Sequence, residues 1–150
     1  MREIVLDTET TGLDYNKGDR LVEIGAIELI NHIPTGKTFH SYLNPEIDKE
    51  MPQEAFSVHG LTTEFLSNKP FFSEVVESFL AFLGESNLII HNAKFDIGFI
   101  NNELQLLENS NQQVYKKLPY KEIRKEIIID TLDIAKNLYP GKSVSLDSLC

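Results

Sequence analysis

Asp7 and Glu9 stand two residues apart in Asp7-Thr8-Glu9-Thr10-Thr11-Gly12-Leu13, directly after the apolar run Ile4-Val5-Leu6. That run has the β-branched, uninterrupted apolarity of a buried strand. In a strand, residues two apart leave the same face, about 6.5 Å apart along the chain. Two carboxylates so placed repel each other unless a cation joins them. A pair of divalent ions about 3.5–4 Å apart fits between them, as in metal-assisted phosphodiester hydrolysis. The phosphotransfer motif D-x-D-G-T, whose first Asp is a nucleophile, does not fit the continuation Glu9-Thr10-Thr11-Gly12.

A third acid, Asp96, follows Leu88-Ile89-Ile90 by a short loop. An acid at a helix start is favoured by the helix dipole, and the same placement at the C-terminal edge of a strand suits a metal-facing carboxylate. Both readings can hold together. Asp130 and Asp133 have the spacing of a helix cap and its third position, and Asp147 is expected to cap the last helix. His32 and His40 fall in a hairpin and need no function. Lys116, Lys117, Lys121, Arg124 and Lys125 form a basic group, read as a solvated run rather than a DNA contact. Leu13, just past Gly12, is read equally as ordinary packing or as a wedge against a ligand.

These residues must be carried by elements. Strands are expected at Ile4–Leu6, at Leu21–Ile30 and from Lys37 to Leu43, with a turn over Asn31–Gly36, giving an antiparallel meander. Asn44-Pro45 ends it. Pro52 suits a first helical position and Gly60 a stop. Ser73 is expected to cap a helix carrying Val75, Val76, Phe79, Leu80 and Leu83, closed by Gly84. A fourth strand is Leu88-Ile89-Ile90, followed by an amphipathic helix from Asp96 to Leu107 and a polar loop from Glu108 to Gln113. Ile127-Ile128-Ile129 makes a fifth strand. A helix runs from Asp130 or Thr131 toward Pro140-Gly141, and another begins near Ser145. The pattern predicts an α/β domain with a mixed sheet and the acid-bearing strand at its centre.

The chain has 150 residues, 41% of them hydrophobic and 25% charged, an ordinary composition for one domain. Its net charge of −9 argues against a bulk electrostatic DNA clamp. Metal-loaded acids would reverse the sign locally. Cys150 is the single cysteine, so no intrachain disulfide forms and a reducing compartment is expected. No run approaches the length of a membrane helix and no signal peptide is legible, so a cytoplasmic location without membrane contact is expected.

DTETTGL at 7–13 and HNAKFDIGFI at 91–100 resemble the first two motifs of the DEDD (DnaQ-like) 3′–5′ exonuclease family. PQEAFSVHGL at 52–61, DTLDIAKNLYPGK at 130–142 and SLDSLC at 145–150 continue the likeness, within the branch that proofreads for bacterial replicative polymerases. The resemblance implies an RNase H-like fold, a mixed five-stranded sheet flanked by helices. It implies two divalent ions, Mg²⁺ or Mn²⁺, held by Asp7, Glu9 and Asp96 as catalytic and metal residues. Asp7, Glu9, Glu54 and His59 are then expected to contact substrate, while His91 is structural. The segment 108–126 matches no family motif and is expected to be a variable loop. The implied partners are a single-stranded or frayed 3′ end of DNA, the polymerase III catalytic (alpha) subunit and other holoenzyme subunits. The family's last motif, a His followed after four residues by an Asp, has no counterpart, since no histidine follows His91. The expectation is a single exonuclease domain over 1–150, C-terminally truncated, its last helix missing and one sheet face left uncovered. Such a chain is expected to be weakly active or inactive by itself. The competing expectations are an RNA-trimming exoribonuclease of the same family and a non-catalytic binding subunit.

Overall fold

Along β1 (Arg2–Thr10), Ile4, Leu6, Thr8 and Thr10 are buried while Val5, Asp7 and Glu9 alternate toward the open face. This alternation is the two-residue period of a strand with one face in the core. The computed structural model describes residues 1–150. β1 pairs antiparallel with β2 (Leu21–Ile30), which pairs antiparallel with β3 (Ile33–Tyr42). On its other side β1 pairs parallel with β4 (Asn87–Ile90), which pairs parallel with β5 (Ile128–Asp130). The order β3-β2-β1-β4-β5 puts the acid-bearing strand in the middle, as expected.

The helices are α1 (Gln53–His59), α2 (Thr63–Leu66), α3 (Phe72–Leu83), α4 (Ala93–Asn109), α5 (Gln113–Lys117), α6 (Thr131–Leu138) and α7 (Leu146–Leu149). Two of them build most of the core against the sheet. α3 buries Phe72, Val76, Phe79, Leu80 and Leu83, and α4 buries Ile97, Phe99, Ile100, Leu104 and Leu107. These join Ile4, Leu6, Ile24, Leu88 and Ile90 in one cluster of 21 residues. Each fully buried Leu, Ile or Phe there contributes about 1.5–3 kcal/mol. A smaller cluster of Val22, Met51, Ala55 and Leu66 seats α1 and α2. The opposite face is open at Val5 and Ile27, which pair directly and are both exposed.

Several boundaries differ from the sequence expectation. The β2–β3 turn is two residues, Asn31 and His32, both at positive φ, so β3 begins at Ile33 and contains Pro34 and Gly36. An edge strand tolerates Pro because its outer side needs no donor. Pro52 precedes α1 instead of opening it. Ser73 does not cap α3; Glu74 Oε2 accepts the Phe71 backbone N–H at 2.8 Å and closes that end. α4 starts at Ala93, three residues before Asp96. The Glu108–Gln113 loop is shorter than expected, because α4 reaches Asn109 and α5 opens at Gln113. Beyond it, Leu118 and Ile123 are buried and Asn101 bonds the Ile123 backbone at both ends of its amide. Segment 108–126 is mostly exposed but is anchored to the core by Leu118 and Ile123. β5 lies one residue later than expected. Ser145, not Asp147, caps α7 by accepting from Ser148 N.

Candidate active site

Asp7 lies opposite Gly25 and Glu9 opposite Glu23 in the β1–β2 register. Gly25 has no neighbour where a side chain would stand, so the sheet beside Asp7 is an open shelf. Glu23 brings a further carboxylate to this face, tied by His40 Nε2 at 2.6 Å. Sequence reasoning missed Glu23. Its signal is visible only through the strand register, which no local pattern supplies.

Asp96 arrives from the other side. It sits in the first turn of α4 and is 3% exposed. The Thr8 hydroxyl, on the buried face of β1 between Asp7 and Glu9, donates to Asp96 Oδ1 at 2.7 Å. Thr8 was not anticipated as a site residue either.

The three acids feel one another. Burial pushes the Asp96 carboxyl up to about 6, and the charge of Asp7 adds to this while the Thr8 hydrogen bond opposes it. Glu9 is raised by burial and then by the charges of Asp7, Glu23 and Asp96. Asp7 is raised chiefly by partial burial of its carboxylate, with Glu23 adding to it; a backbone bond from Thr8 and the nearness of His91 act in the opposite direction. Clustered like charges in a partly desolvated place raise each other's proton affinity, and a divalent cation would relieve the same repulsion. No three His, Cys, Asp or Glu side chains stand together closely enough to hold a metal ion by themselves. Hard cations that keep several waters and share substrate oxygens need only one or two carboxylates each. An all-oxygen, mutually repelling donor set fits Mg²⁺ or Mn²⁺ in that open manner.

His59 ends α1 beside this strand. Its Nδ1 accepts the Leu61 backbone N–H at 3.0 Å, so Nε2 carries the proton and donates to the Thr10 carbonyl at 3.1 Å. The histidine is thereby fixed at the end of β1. Glu54 lies exposed in the first turn of the same helix. The side-chain bond that reaches it, from the Ser57 hydroxyl, goes to its backbone carbonyl. The fold thus ties His59 to the acid strand and leaves the Glu54 carboxylate untied.

His91 bonds through Nδ1 to the Thr131 hydroxyl at 3.0 Å, the structural role expected of it. Its buried Nε2 has no partner. His32, in the β2–β3 turn, lies with Nδ1 2.9 Å from Glu3 Oε1 on β1, and its backbone N–H donates to Glu3 Oε2 at 2.9 Å. Asp130 caps α6, as expected, by accepting from Leu132 N at 2.9 Å.

The loop from Thr11 to Arg20 projects beyond β1. The Asp19 carboxylate accepts from Asp14 N at 3.0 Å and lies where any side chain on Gly12 would stand. Arg20 forks onto Glu103 of α4, with both contacts at 2.7 Å. Leu13 at the tip is 86% exposed, which removes the packing reading.

A model of the exonuclease family, RNase_T, matches residues 4–150. The chain is 51% identical over 150 residues to the DNA polymerase III subunit epsilon of Rickettsia prowazekii (strain Madrid E), covering all of this chain and 61% of the relative. It is 44% identical over 153 residues to the subunit of the same name from Salmonella typhimurium, covering 99% of this chain and 59% of the relative. The chain thus spans about three-fifths of the length of these curated relatives. Among solved structures, exonuclease X in complex with 5′ overhanging duplex DNA superposes with a TM-score of 0.68 at 24% identity, covering 98% of this chain and 70% of that one. A metal-free E. coli ExoI–ssDNA complex gives 0.65 at 17%, covering 97% and 32%. These two likenesses are of fold.

Proposed function

This chain belongs to the exonuclease family, and we propose that it is the nuclease portion of a proofreading 3′–5′ exonuclease acting with a bacterial replicative DNA polymerase. One observation carries the reading: Asp7 and Glu9 leave one face of the central strand, and the Thr8 hydroxyl between them holds Oδ1 of Asp96, from a separate helix, at 2.7 Å. The substrate is a single-stranded or frayed 3′ end of DNA. The partners are the polymerase III catalytic (alpha) subunit and other holoenzyme subunits, in the cytoplasm; no helix is long and apolar enough to cross a membrane.

Asp7, Glu9 and Asp96 would hold two divalent ions, Mg²⁺ or Mn²⁺, which when bound lower the pKa of an attacking water and stabilise the leaving 3′ oxygen. The remaining roles belong to the chain. Thr8 keeps Oδ1 of Asp96 turned to the acid strand. His59, held by two hydrogen bonds at the end of β1, and Glu54 flank the strand as substrate contacts. Leu13 is free to press on the terminal base. A mispaired end frays at lower cost than a paired one, so selection for mismatches needs no base-specific contact.

The test is release of nucleoside 5′-monophosphate from a 3′-mismatched DNA end. It uses this chain alone and this chain joined to the part of the Rickettsia prowazekii relative that it does not cover. Digestion of the mismatched end by the joined form, abolished by Asp7→Ala with the fold intact, is the expected result. No cleavage by the joined form, despite Mn²⁺ binding, returns the reading to a non-catalytic binding subunit. Faster loss of an RNA strand of the same sequence makes it an exoribonuclease.

A further inference from the structure

The turn that launches α4 has no cap of its own. Asn92 precedes the helix in the left-handed region, φ 67°, and its side chain makes no capping bond. The leading backbone N–H groups of such a turn need acceptors. They find them on a different crossover. Asp130 Oδ1 accepts Asn92 N at 3.0 Å, and Oδ2 accepts Ala93 N at 2.9 Å. Oδ1 also accepts Leu132 N at 2.9 Å at the start of α6. One carboxylate therefore serves the first turns of two helices.

The register explains how. β4 and β5 are parallel neighbours with Ile90 opposite Asp130, so both strands end at one level and both crossovers leave side by side. The next pair along reinforces the link, His91 Nδ1 meeting the Thr131 hydroxyl at 3.0 Å. Three residues beyond Ala93 the same helix carries Asp96, whose carboxylate must meet Thr8 on β1. A rotation or fraying of the first turn of α4 would carry Asp96 away from Asp7 and Glu9.

We infer that Asp130 is a positioning residue for the acid site: it clamps the His91–Asn92–Ala93 turn from the neighbouring crossover and so sets where α4 presents Asp96. This goes beyond its role as the cap of α6. It rests on the exonuclease reading only in supposing that the position of Asp96 matters for metal.

The test compares Asp130→Ala and the milder Asp130→Asn, which keeps one acceptor oxygen, with Thr62→Ala. Thr62 caps α2 through Phe65 N at 3.0 Å and touches none of this machinery, so it controls for lost stability alone. The first readout needs no metal: NMR resonances of the Asp96 carboxyl and of Thr8, with amide exchange at Asn92 and Ala93. The second is the Kd for Mn²⁺ at a temperature where every variant is folded. The expectation is displaced Asp96 and Thr8 signals in both Asp130 variants and none in Thr62→Ala. Mn²⁺ affinity should fall about tenfold in Asp130→Ala, the usual scale for losing a supporting group behind a ligand, and less in Asp130→Asn. Unmoved Asp96 and Thr8 signals, with Asn92 and Ala93 amides newly exchanging, overturn the inference. If the parent chain binds no Mn²⁺ yet Asp96 moves, the positioning role stands and the metal reading fails. Should Asp130→Ala not fold, Asp130→Asn decides by the same two readouts.

Discussion

The Thr8 hydroxyl reaches Asp96 Oδ1 at 2.7 Å across 88 positions of sequence. The bond joins the central strand to the helix that supplies the third acid. It originates on the core side of β1, while Asp7 and Glu9 leave on the open side. The strand thus contributes two acids with one face and aims the third with the other. A buried carboxylate that receives one hydroxyl donor is still costly to ionise, and the site stores that cost in Asp96.

Stability should rise as the metal-free protein is taken down through pH 6. Asp96 has its folded-state pKa raised to about 6 from 3.8, so the folded state holds that proton more tightly than the unfolded one. The penalty is full above pH 6 and shrinks toward pH 4. At 1.36 kcal/mol per pKa unit it is on the order of 3 kcal/mol. Asp96→Asn, which keeps an acceptor for Thr8, should stabilise the protein at pH 7.5 and flatten this limb in thermal melts. On the acid side the sign reverses. Arg2 and Thr35 hold Glu28 down to about 2 from 4.5, so its stabilisation, present above pH 4.5, is lost as pH falls toward 2. Arg2→Ala should blunt that loss.

Mn²⁺ should raise the melting temperature, and more at pH 7.5 than at pH 5, because ligand carboxylates must be deprotonated to bind. At a hundredfold excess over Kd the gain is about 2.7 kcal/mol, or roughly 5–10 °C for a domain of this size. Glu9→Gln and Asp96→Asn should each remove most of it. An equal shift in the parent and both variants would place the ion elsewhere.

Arg20→Ala should cost about 1–3 kcal/mol in urea unfolding, the scale for leaving a buried polar group without its main partner. It leaves Glu103, 2% exposed on α4, without its bidentate partner. Arg20→Lys should recover only part, because an ammonium cannot reproduce the two-pronged fork. Replacing both residues, Arg20→Met with Glu103→Leu, should be much milder than either single loss of charge.

Asp7 and Glu9 were legible in the sequence because both signals that mark them are local. A two-residue spacing fixes a shared strand face, and the apolar run before it fixes burial. The same locality made the central position of β1 and the apolar faces of α3 and α4 readable, since a period of two or 3.6 is written along the chain. Helix starts were harder. Ser73 looks like a cap by type, yet Glu74 closes that end by reaching back. α4 begins three residues before Asp96 because its first donors are satisfied from β5.

What the sequence by itself determined is the pair of acids on one strand, the mixed α/β plan and the membership of an exonuclease family. Only the tertiary structure decided that Glu23 joins the acidic face, that Thr8 holds Asp96, that Leu13 stands free and that Asp130 serves two helices. Each of these depends on strand register or on contacts between distant segments. Neither quantity leaves a local periodicity, because register is set by the packing of all five strands together.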